Sequence, residues 1–279
     1  MEGKSKIISG IQQIGIGVPN VHQAWAWYRK NFGMDVPIFQ EEAEAKLMIN
    51  YTGNEVHKRN AVLAINMQGG GGFEIWQFTS RMPEPANFEI KFGDHGIYAA
   101  KMKVMKDPAG KKHFFVKDLY GNIFQMEEAD GWFDRNNYAT GGASGAIIGV
   151  SNIEDSLKVY RDILEYDEVV YDETGVFEDF SSLSGGDRKA RRIKLKHASM
   201  RKGSFSKLLG PTTIELVELI DEKGSQIYKN RFWGDLGFIH ICFDIKHMDS
   251  LRNECERKGF PFTVDSQNSF DMGEAAGHF

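Results

Sequence analysis

The chain has 279 residues, a formal net charge of -5 and two cysteines. This length allows two domains, each with its own core, and the acidic balance without any Lys/Arg-rich run argues against a nucleic-acid-binding protein. Cys242 and Cys255 form no CxxC pair, and no apolar run approaches the roughly 18 residues of a membrane helix. We therefore expect a cytoplasmic monomer or homodimer that binds a small molecule, and neither nucleic acid nor a membrane.

The pattern of apolar and polar residues predicts mostly strands, with one helix near the start of each half of the chain. These helical patterns end near Arg29 and Arg161. The strands predicted in the first half lie near 11–18, 35–40, 60–67, 72–79, 96–104, 112–117 and 122–127. Those predicted in the second half lie near 145–150, 167–173, 191–198, 212–220, 238–245 and 261–265, with a helix at 248–258.

The polar, glycine-bearing stretch 129–143 predicts a linker between a first domain at 1–128 and a second at 144–279. Between Val104 and Lys112 there is no room for a helix, so we expect the second part of the first domain to be abbreviated. The final residues 277–279 match 112–114, after which the first half still has a turn and a strand. We therefore expect the second domain to stop before its last strand.

An internal duplication is indicated by segments that recur in the same order. The segment IGVPNV at 16–21 recurs as IGVSNI at 148–153, an offset of 132, and in each copy an Asn precedes the helix and can cap it. Two further pairs share an offset of 141, namely FEI at 73–75 with IEL at 214–216, and GDHG at 93–96 with GDLG at 234–237. The nine-residue difference predicts one insertion, which we place in the polar stretch 182–190.

Strand-helix openings, a Glu on a fourth strand, a GxxH strand and the DxxGN turn at 118–122 follow one another in this chain. In this order the motifs resemble the vicinal-oxygen-chelate superfamily, which includes glyoxalases, extradiol dioxygenases and bleomycin-resistance proteins. The resemblance implies an α+β fold of tandem βαβββ units, in two domains whose curved mixed sheets form a half-barrel cleft.

The resemblance also implies where metal ligands would lie, because each unit of the metal-dependent members contributes one ligand from its first strand and one from its fourth. The corresponding positions are Gln13 and Glu74 in unit one, Ala99 and Gln125 in unit two, Gly145 and Glu215 in unit three, and His240 in unit four. The eighth position would fall about eleven residues beyond Phe279, if the two halves continue to match.

Two ways of pairing these units remain open. If neighbours in sequence pair, as in the dioxygenase-like arrangement, both sites lose ligands. If unit one pairs with unit four, as in glyoxalase I, the losses fall on the inner pair, whereas Gln13, Glu74 and His240 share the outer site. We favour the second arrangement, because one intact site and one decayed site are easier to explain than two half-decayed sites. The residues of the predicted decayed site are Ala99, Gln125, Gly145 and Glu215.

The outer set resembles the eukaryotic type of glyoxalase I without its fourth carboxylate. An amide oxygen, a carboxylate and an imidazole suit a divalent metal such as Zn²⁺, Ni²⁺, Mn²⁺ or Fe²⁺. Such a metal would hold two adjacent substrate oxygens and stabilise an enediolate, while Glu74 moves the proton as the catalytic residue. Lyase, isomerase and epimerase reactions all follow this route.

Glutathione is not the expected substrate. The resemblance implies that an Arg, an Asn and a second Arg would bind glutathione in glyoxalase I, but Gly17, Phe78 and Leu236 occupy those positions here. Trp76 and Phe78 instead predict a more apolar substrate pocket.

Each candidate also has a purely structural explanation. Gln13 follows another Gln at a polar strand end, Glu74 fits an alternating strand that faces solvent, and His240 fits a hydrogen-bonded core histidine. The leading hypothesis is a metal-dependent lyase, isomerase or epimerase that does not use glutathione. A metal-free small-molecule-binding protein of the bleomycin-resistance kind is the alternative. An extradiol dioxygenase comes third, because Gly145 removes one of its required ligands.

Overall fold

The computed structural model describes residues 5–104, 113–129 and 131–266. Its first half contains β1 (Ile7–Gly17), α1 (Val21–Phe32), β2 (Val36–Glu44), β3 (Lys58–Ile65), β4 (Gly72–Phe78), β5 (Gly96–Val104), β6 (His113–Lys117) and β7 (Ile123–Glu128). Its second half contains β8 (Thr140–Gly149), α2 (Ile153–Tyr160), β9 (Glu168–Gly175), β10 (Ala190–Lys196), α3 (Ser206–Leu209), β11 (Thr213–Leu219), β12 (Gly237–Lys246) and α4 (Met248–Arg257). The predicted α+β architecture of tandem βαβββ units is confirmed.

The strands form two mixed sheets. The first has the order β12-β1-β4-β3-β2, with β1 parallel to β4 and antiparallel to β12. The second has the order β6-β7-β5-β8-β11-β10-β9, with β8 parallel to β11 and antiparallel to β5. Unit four therefore pairs with unit one, and unit two pairs with unit three. This is the pairing that brings the candidate outer residues onto one sheet.

Two glycines allow the paired units to approach each other closely. A Cβ atom at Gly17 would lie 1.9 Å from the carbonyl oxygen of Asp235, and one at Gly149 would lie 1.9 Å from that of Asp94. Both aspartates are buried, and their carboxylates accept hydrogen bonds from backbone N–H groups of the surrounding loops. The same backbone contact thus forms in both pairs of units, as the duplicated GD motif requires.

The helices α1 and α2 begin where their capping residues predict. Asn20 accepts a hydrogen bond from the Gln23 backbone N–H at 3.0 Å, and Asn152 accepts one from that of Asp155 at 2.9 Å. Each cap satisfies a backbone donor that has no partner inside the helix. The first helix ends at Gly33, whose φ of 63° lies in the left-handed region that glycine adopts without strain.

A continuous apolar core joins the helices to both sheets. Ile14, Phe73, Phe124 and Ile148, from four different strands, are all buried in this cluster. Tyr28 of α1 packs among them, and its hydroxyl donates a 2.5 Å hydrogen bond to the Asp118 carboxylate. Burial and the Asp118 carboxylate raise the pKa of Tyr28, so this hydroxyl keeps its proton. The DxxGN turn is therefore anchored to the core by an aromatic residue of the first helix.

The structure corrects two predictions about the connections. The insertion does not lie at 182–190, because the β10–β11 connection spans residues 197–212 whereas the β3–β4 connection spans only 66–71. The predicted strand at 261–265 does not form. Instead Phe260 and Phe262 pack against Leu251 of α4.

The domain boundaries remain a prediction, although β8 begins at Thr140, inside the stretch assigned to the linker. The abbreviated connection after Val104 and the expected end of the second domain involve residues 105–112 and 267–279, which lie outside the described residues. No helix of the described chain is long and apolar enough to span a membrane.

Candidate functional site

Gln13, Glu74 and His240 come together on the first sheet, from the adjacent strands β1, β4 and β12. The Gln13 amide Nε2 donates a 2.6 Å hydrogen bond to Glu74 Oε2, and the same oxygen lies 3.1 Å from His240 Nε2. Gly15 pairs with both Glu74 and His240, and a Cβ atom there would lie 2.4 Å from the His240 ring. The missing side chain at Gly15 therefore lets the imidazole lie across β1 towards the carboxylate.

The His240 ring is poorly provided with hydrogen bonds. Neither ring nitrogen has a hydrogen-bond partner within the described chain, since the contact to Glu74 has the distance but not the geometry of a hydrogen bond. The Trp233 ring stacks on the imidazole, with 5.6 Å between centroids. Burial alone would lower the pKa of His240, but the Cys242 sulfur and the Glu74 carboxylate outweigh burial and raise the pKa to about 10.

These side chains fit a divalent metal by donor chemistry. Two unsatisfied imidazole nitrogens stand beside a carboxylate that is 8% exposed, and a 180° rotation of the Gln13 amide would present its oxygen to the same point. In the described part of the chain, no three His, Cys, Asp or Glu side chains group to hold a metal. A metal here would therefore depend on the Gln13 amide and on donors beyond these three residues.

Trp76 and Phe78, predicted to line a substrate pocket, lie on the same face of β4 as Glu74 but are only 1% and 2% exposed. Trp76 packs edge-on against Phe78 at 4.6 Å and against Trp233 at 5.1 Å. Trp233 belongs to the connection 220–236 between β11 and β12. This connection thus covers the aromatic part of the sheet in the present conformation.

The position that corresponds to the first glutathione-binding Arg leaves no room for a side chain. It is Gly17, where a Cβ atom would collide with the Asp235 backbone. Phe78 is buried and apolar, and Leu236 also carries no charge. These three positions therefore offer no cation or amide for a glutathione carboxylate.

On the second sheet, the homologous region contains a salt-bridge network around Lys101 of β5. The Lys101 ammonium is 0% exposed and donates to Gln125 Oε1 at 2.6 Å, to Glu215 Oε2 at 2.7 Å and to Glu127 Oε1 at 3.0 Å. Gln125 and Glu215 are two of the four positions predicted for a decayed metal site. A fixed ammonium thus lies among the oxygens that a metal would otherwise share.

Two further cations of β10 complete this network. Arg192 donates to Glu215 Oε1 at 2.8 Å and to Asp179 Oδ1 at 2.9 Å, and Lys194 donates to Glu127 at 2.8 Å. Burial alone would raise the pKa of Glu127, but Lys101 and Lys194 outweigh burial and lower it to about 2. Lys101 and Arg192 likewise lower the pKa of the buried Glu215. The carboxylates are therefore ionised and compensated by the chain's own cations.

The other two positions of the predicted decayed site carry no donor side chain. Ala99 is buried in an apolar cluster with Ile147 and Val217. A Cβ atom at Gly145 would lie 2.0 Å from the Thr213 carbonyl oxygen, and its φ of +157° is one that other residues rarely adopt. A ligand side chain could not be placed at Gly145 without moving the backbone.

Sequence reasoning missed Lys101, Glu127, Arg192 and Lys194. The duplication carried the necessary signal, because the 141-residue offset that matches Ala99 with His240 also matches Lys101 with Cys242. Alternation along β5 then puts Lys101 on the same face as Ala99. The register between the neighbouring strands β10 and β11, however, was needed to show that Arg192 meets Glu215.

No family model matches the chain, and no curated protein sequence matches it. Glyoxalase I from Zea mays is 10% identical, covering 91% of this chain and 81% of that chain with a TM-score of 0.47. A single-residue mutant of the maize enzyme is 11% identical, covering 91% and 79% with a TM-score of 0.51. A triple mutant of 4-hydroxymandelate synthase from Streptomyces coelicolor is 11% identical, covering 90% and 76% with a TM-score of 0.35. The chain has a glyoxalase-like fold.

Proposed function

We propose that the protein is a metal-dependent lyase, isomerase or epimerase that acts on a small substrate with adjacent oxygens and does not use glutathione. The observation that supports this most directly is that the Gln13 amide and the His240 imidazole both lie against one oxygen of the Glu74 carboxylate, Oε2. Both imidazole nitrogens lack a hydrogen-bond partner in the described chain.

The comparison of the two homologous glutamates supports the same reading. Glu215 is neutralised by Lys101 and Arg192. In the first sheet, Leu63 is the residue opposite Glu74. The corresponding residue in the second sheet, opposite Glu215, is Lys194. By the same register, the first sheet has Ala61 at the position that Arg192 occupies in the second sheet, and Cys242 at the position of Lys101. The first site therefore keeps its carboxylate but has no Lys or Arg beside it, and His240 is its one basic neighbour in the described chain. An imidazole can give up its proton to bind a metal, which a Lys or Arg in that place would exclude.

The roles of the side chains follow from their chemistry. Gln13, Glu74 and His240 would hold the metal, which would supply Lewis-acid stabilisation of negative charge on the substrate oxygens. Glu74 would take the proton from the substrate carbon and return it through Oε1, since Gln13 and His240 both lie at Oε2. Without the metal, the Gln13 amide nitrogen orients the Glu74 carboxylate through their 2.6 Å hydrogen bond, and rotation of the amide would turn its oxygen to the metal when one binds.

The surroundings of the site limit the substrate. Gly17, Phe78 and Leu236 provide no charged partner for the carboxylates of glutathione. Trp76, Phe78 and Trp233 instead present aromatic surface near the carboxylate, once the 220–236 connection moves aside. We therefore expect a small, mostly uncharged substrate such as a hydroxy-carbonyl compound.

Metal analysis of the purified protein tests this proposal. The wild-type chain should hold close to one divalent metal per chain, and His240→Ala should lose it while remaining folded. His22→Ala serves as the matched control, since His22 is an exposed histidine on α1. If wild-type protein dialysed against each of Zn²⁺, Ni²⁺, Mn²⁺ and Fe²⁺ retains none of them, the metal-dependent function is wrong.

A metal-free small-molecule-binding protein is the second candidate. It is favoured by the fact that Gln13, Glu74 and His240 already contact one another and that the described residues contain no His, Cys, Asp and Glu trio suited to a metal. A panel of small apolar and cationic compounds would then raise the melting temperature equally with and without a chelator. Shifts that vanish with the chelator would exclude this candidate.

A further inference from the structure

A cavity of about 660 Å³ lies beside the second sheet, between β6 and the β9–β10 connection. β6 is the first strand of that sheet and pairs only with β7 among the described strands, and the connection spans residues 176–189. Cavities of this size commonly hold small organic ligands. The cavity is lined by β6 and by Asp179, Ser182 and Leu183 of the connection, and none of these residues belongs to the proposed metal site.

The wall that the connection forms is held in place by packing. Phe180 is 0% exposed, and its ring centroid lies 4.3 Å from that of Phe92 and 5.0 Å from that of Phe115 on β6. The Leu183 backbone N–H donates a 2.8 Å hydrogen bond to the Phe180 carbonyl oxygen, and a Cβ atom at Gly186 would lie 1.8 Å from the same oxygen. The connection therefore makes a tight turn against the core, so the cavity is present without a ligand.

Three side chains of β6 face this connection. His113, Phe115 and Lys117 are two residues apart along the strand, so they point to the same side of the sheet. The first two have partners there, since His113 Nε2 lies 3.5 Å from Asp179 Oδ2 and Phe115 packs on Phe180. Lys117 is exposed and forms no ion pair or side-chain hydrogen bond with a described residue. Its ammonium is therefore available to a ligand in the cavity.

The carboxylate at the cavity is already neutralised. Both oxygens of Asp179 accept hydrogen bonds from Arg192 Nη1, at 2.9 and 3.1 Å. Arg192 belongs to the salt-bridge network of the second sheet, in which three cations meet three carboxylates, namely Lys101, Arg192, Lys194, Glu127, Glu215 and Asp179. Because these charges cancel, the uncompensated charge among the residues that line the cavity is positive and comes from Lys117.

We propose that this cavity binds a small monocarboxylate with an apolar body. The ligand's carboxylate pairs with the Lys117 ammonium, and the hydroxyl of the exposed Ser182 can donate a hydrogen bond to it. The apolar body packs on Phe115 and Leu183, which are both half-buried. A single lysine balances a single negative charge, which favours a carboxylate over a phosphate. No metal takes part, so this site is independent of the proposed function.

Isothermal titration calorimetry of the full-length protein in EDTA tests this proposal. The probes are 3-phenylpropionate, 4-methylpentanoate and the neutral amide of each acid. We expect at least one carboxylate to bind and its amide to bind about fivefold more weakly, the factor that one partly exposed ion pair provides. Because EDTA removes metal, this result does not depend on the metal site. Equal affinities for acid and amide, or no binding of either acid up to about 10 mM, would overturn the proposal.

Variants then locate the ligand. Lys117→Gln should weaken the carboxylate about fivefold and leave its amide unchanged. Lys207→Gln is the control and should change neither, because Lys207 is an exposed lysine of α3 without an ion-pair partner in the described chain. Ser182→Trp should fill the cavity and abolish binding of both compounds. Carboxylate binding that Lys117→Gln leaves unchanged would overturn the proposal, and this variant decides alone if Ser182→Trp fails to fold.

Discussion

At the scale of single residues, the two homologous glutamates have different partners in the two sheets. Glu215 is buried with Lys101 and Arg192, whereas Glu74 has Gln13 and His240. Lys101 and Arg192 balance the charge of Glu215, whereas the charge of Glu74 can be balanced only by the His240 imidazole or by a bound ion. The sequence revealed both glutamates through the duplication. The resemblance also grouped Glu74 with Gln13 and His240. The cationic partners of Glu215, Lys101 and Arg192, were not predicted, because a charged residue on a strand does not show by itself which neighbour it meets.

Removing the Lys101 ammonium should lower the free energy of unfolding. Lys101→Met would leave Glu127 and Glu215 with fewer cations in a buried site, so we expect a loss of about 3–5 kcal/mol in the free energy of unfolding. Lys196→Met is the matched control, because Lys196 forms an exposed pair with Glu168 and should contribute under about 1 kcal/mol. Chemical denaturation measures both values. Equal losses in the two variants would show that the network does not compensate the buried carboxylates.

The same network should make stability depend on acid. The folded pKa of Glu127 is about 2, below the ordinary glutamate value of 4.5. Its contribution is therefore present above pH 4.5 and is lost as the pH falls from 4.5 towards 2, to a maximum of about 3 kcal/mol. Unfolding free energies across this range should fall more steeply for the wild type than for Glu127→Gln. Parallel curves would contradict the assignment of this ion pair.

At the scale of elements, sequence patterns predicted the helices and most strands because local chemistry decides them. Asn20 and Asn152 cap their helices as expected. The insertion was misplaced because the loop-like stretch 182–190 has a counterpart of nearly equal length in the first half, between β2 and β3. The segment 261–265 has strand-like composition, but its neighbouring aromatic residues pack on α4 instead.

The pairing of units depends on backbone approach at two strand glycines. Gly17→Ala and Gly149→Ala should each destabilise the protein by about 1–3 kcal/mol, because a Cβ atom would collide with the Asp235 or Asp94 backbone. Gly175→Ala in β9 is the control, since its Cβ would have no neighbour within 4 Å. Thermal melts compare the three variants. A loss at Gly175 as large as at Gly17 would indicate strand propensity rather than close approach.

At the scale of the whole molecule, the duplication produces two sheets that each combine units from distant parts of the chain. The motifs predicted the units and made two pairings possible, and the argument from the distribution of losses favoured the observed one. Sequence could not predict that aromatic residues of the 220–236 connection would cover Trp76 and Phe78. That contact depends on how a long loop lies over a sheet, which no local pattern encodes.

We propose one metal site, on the first sheet only. Anomalous diffraction from crystals of the protein equilibrated with Zn²⁺ or Mn²⁺ tests this most directly. We predict one strong peak per chain, about 2.0–2.3 Å from His240 Nε2 and from Glu74, and none near Lys101. A peak between Gln125 and Glu215, or no peak beside His240, would contradict the central claim.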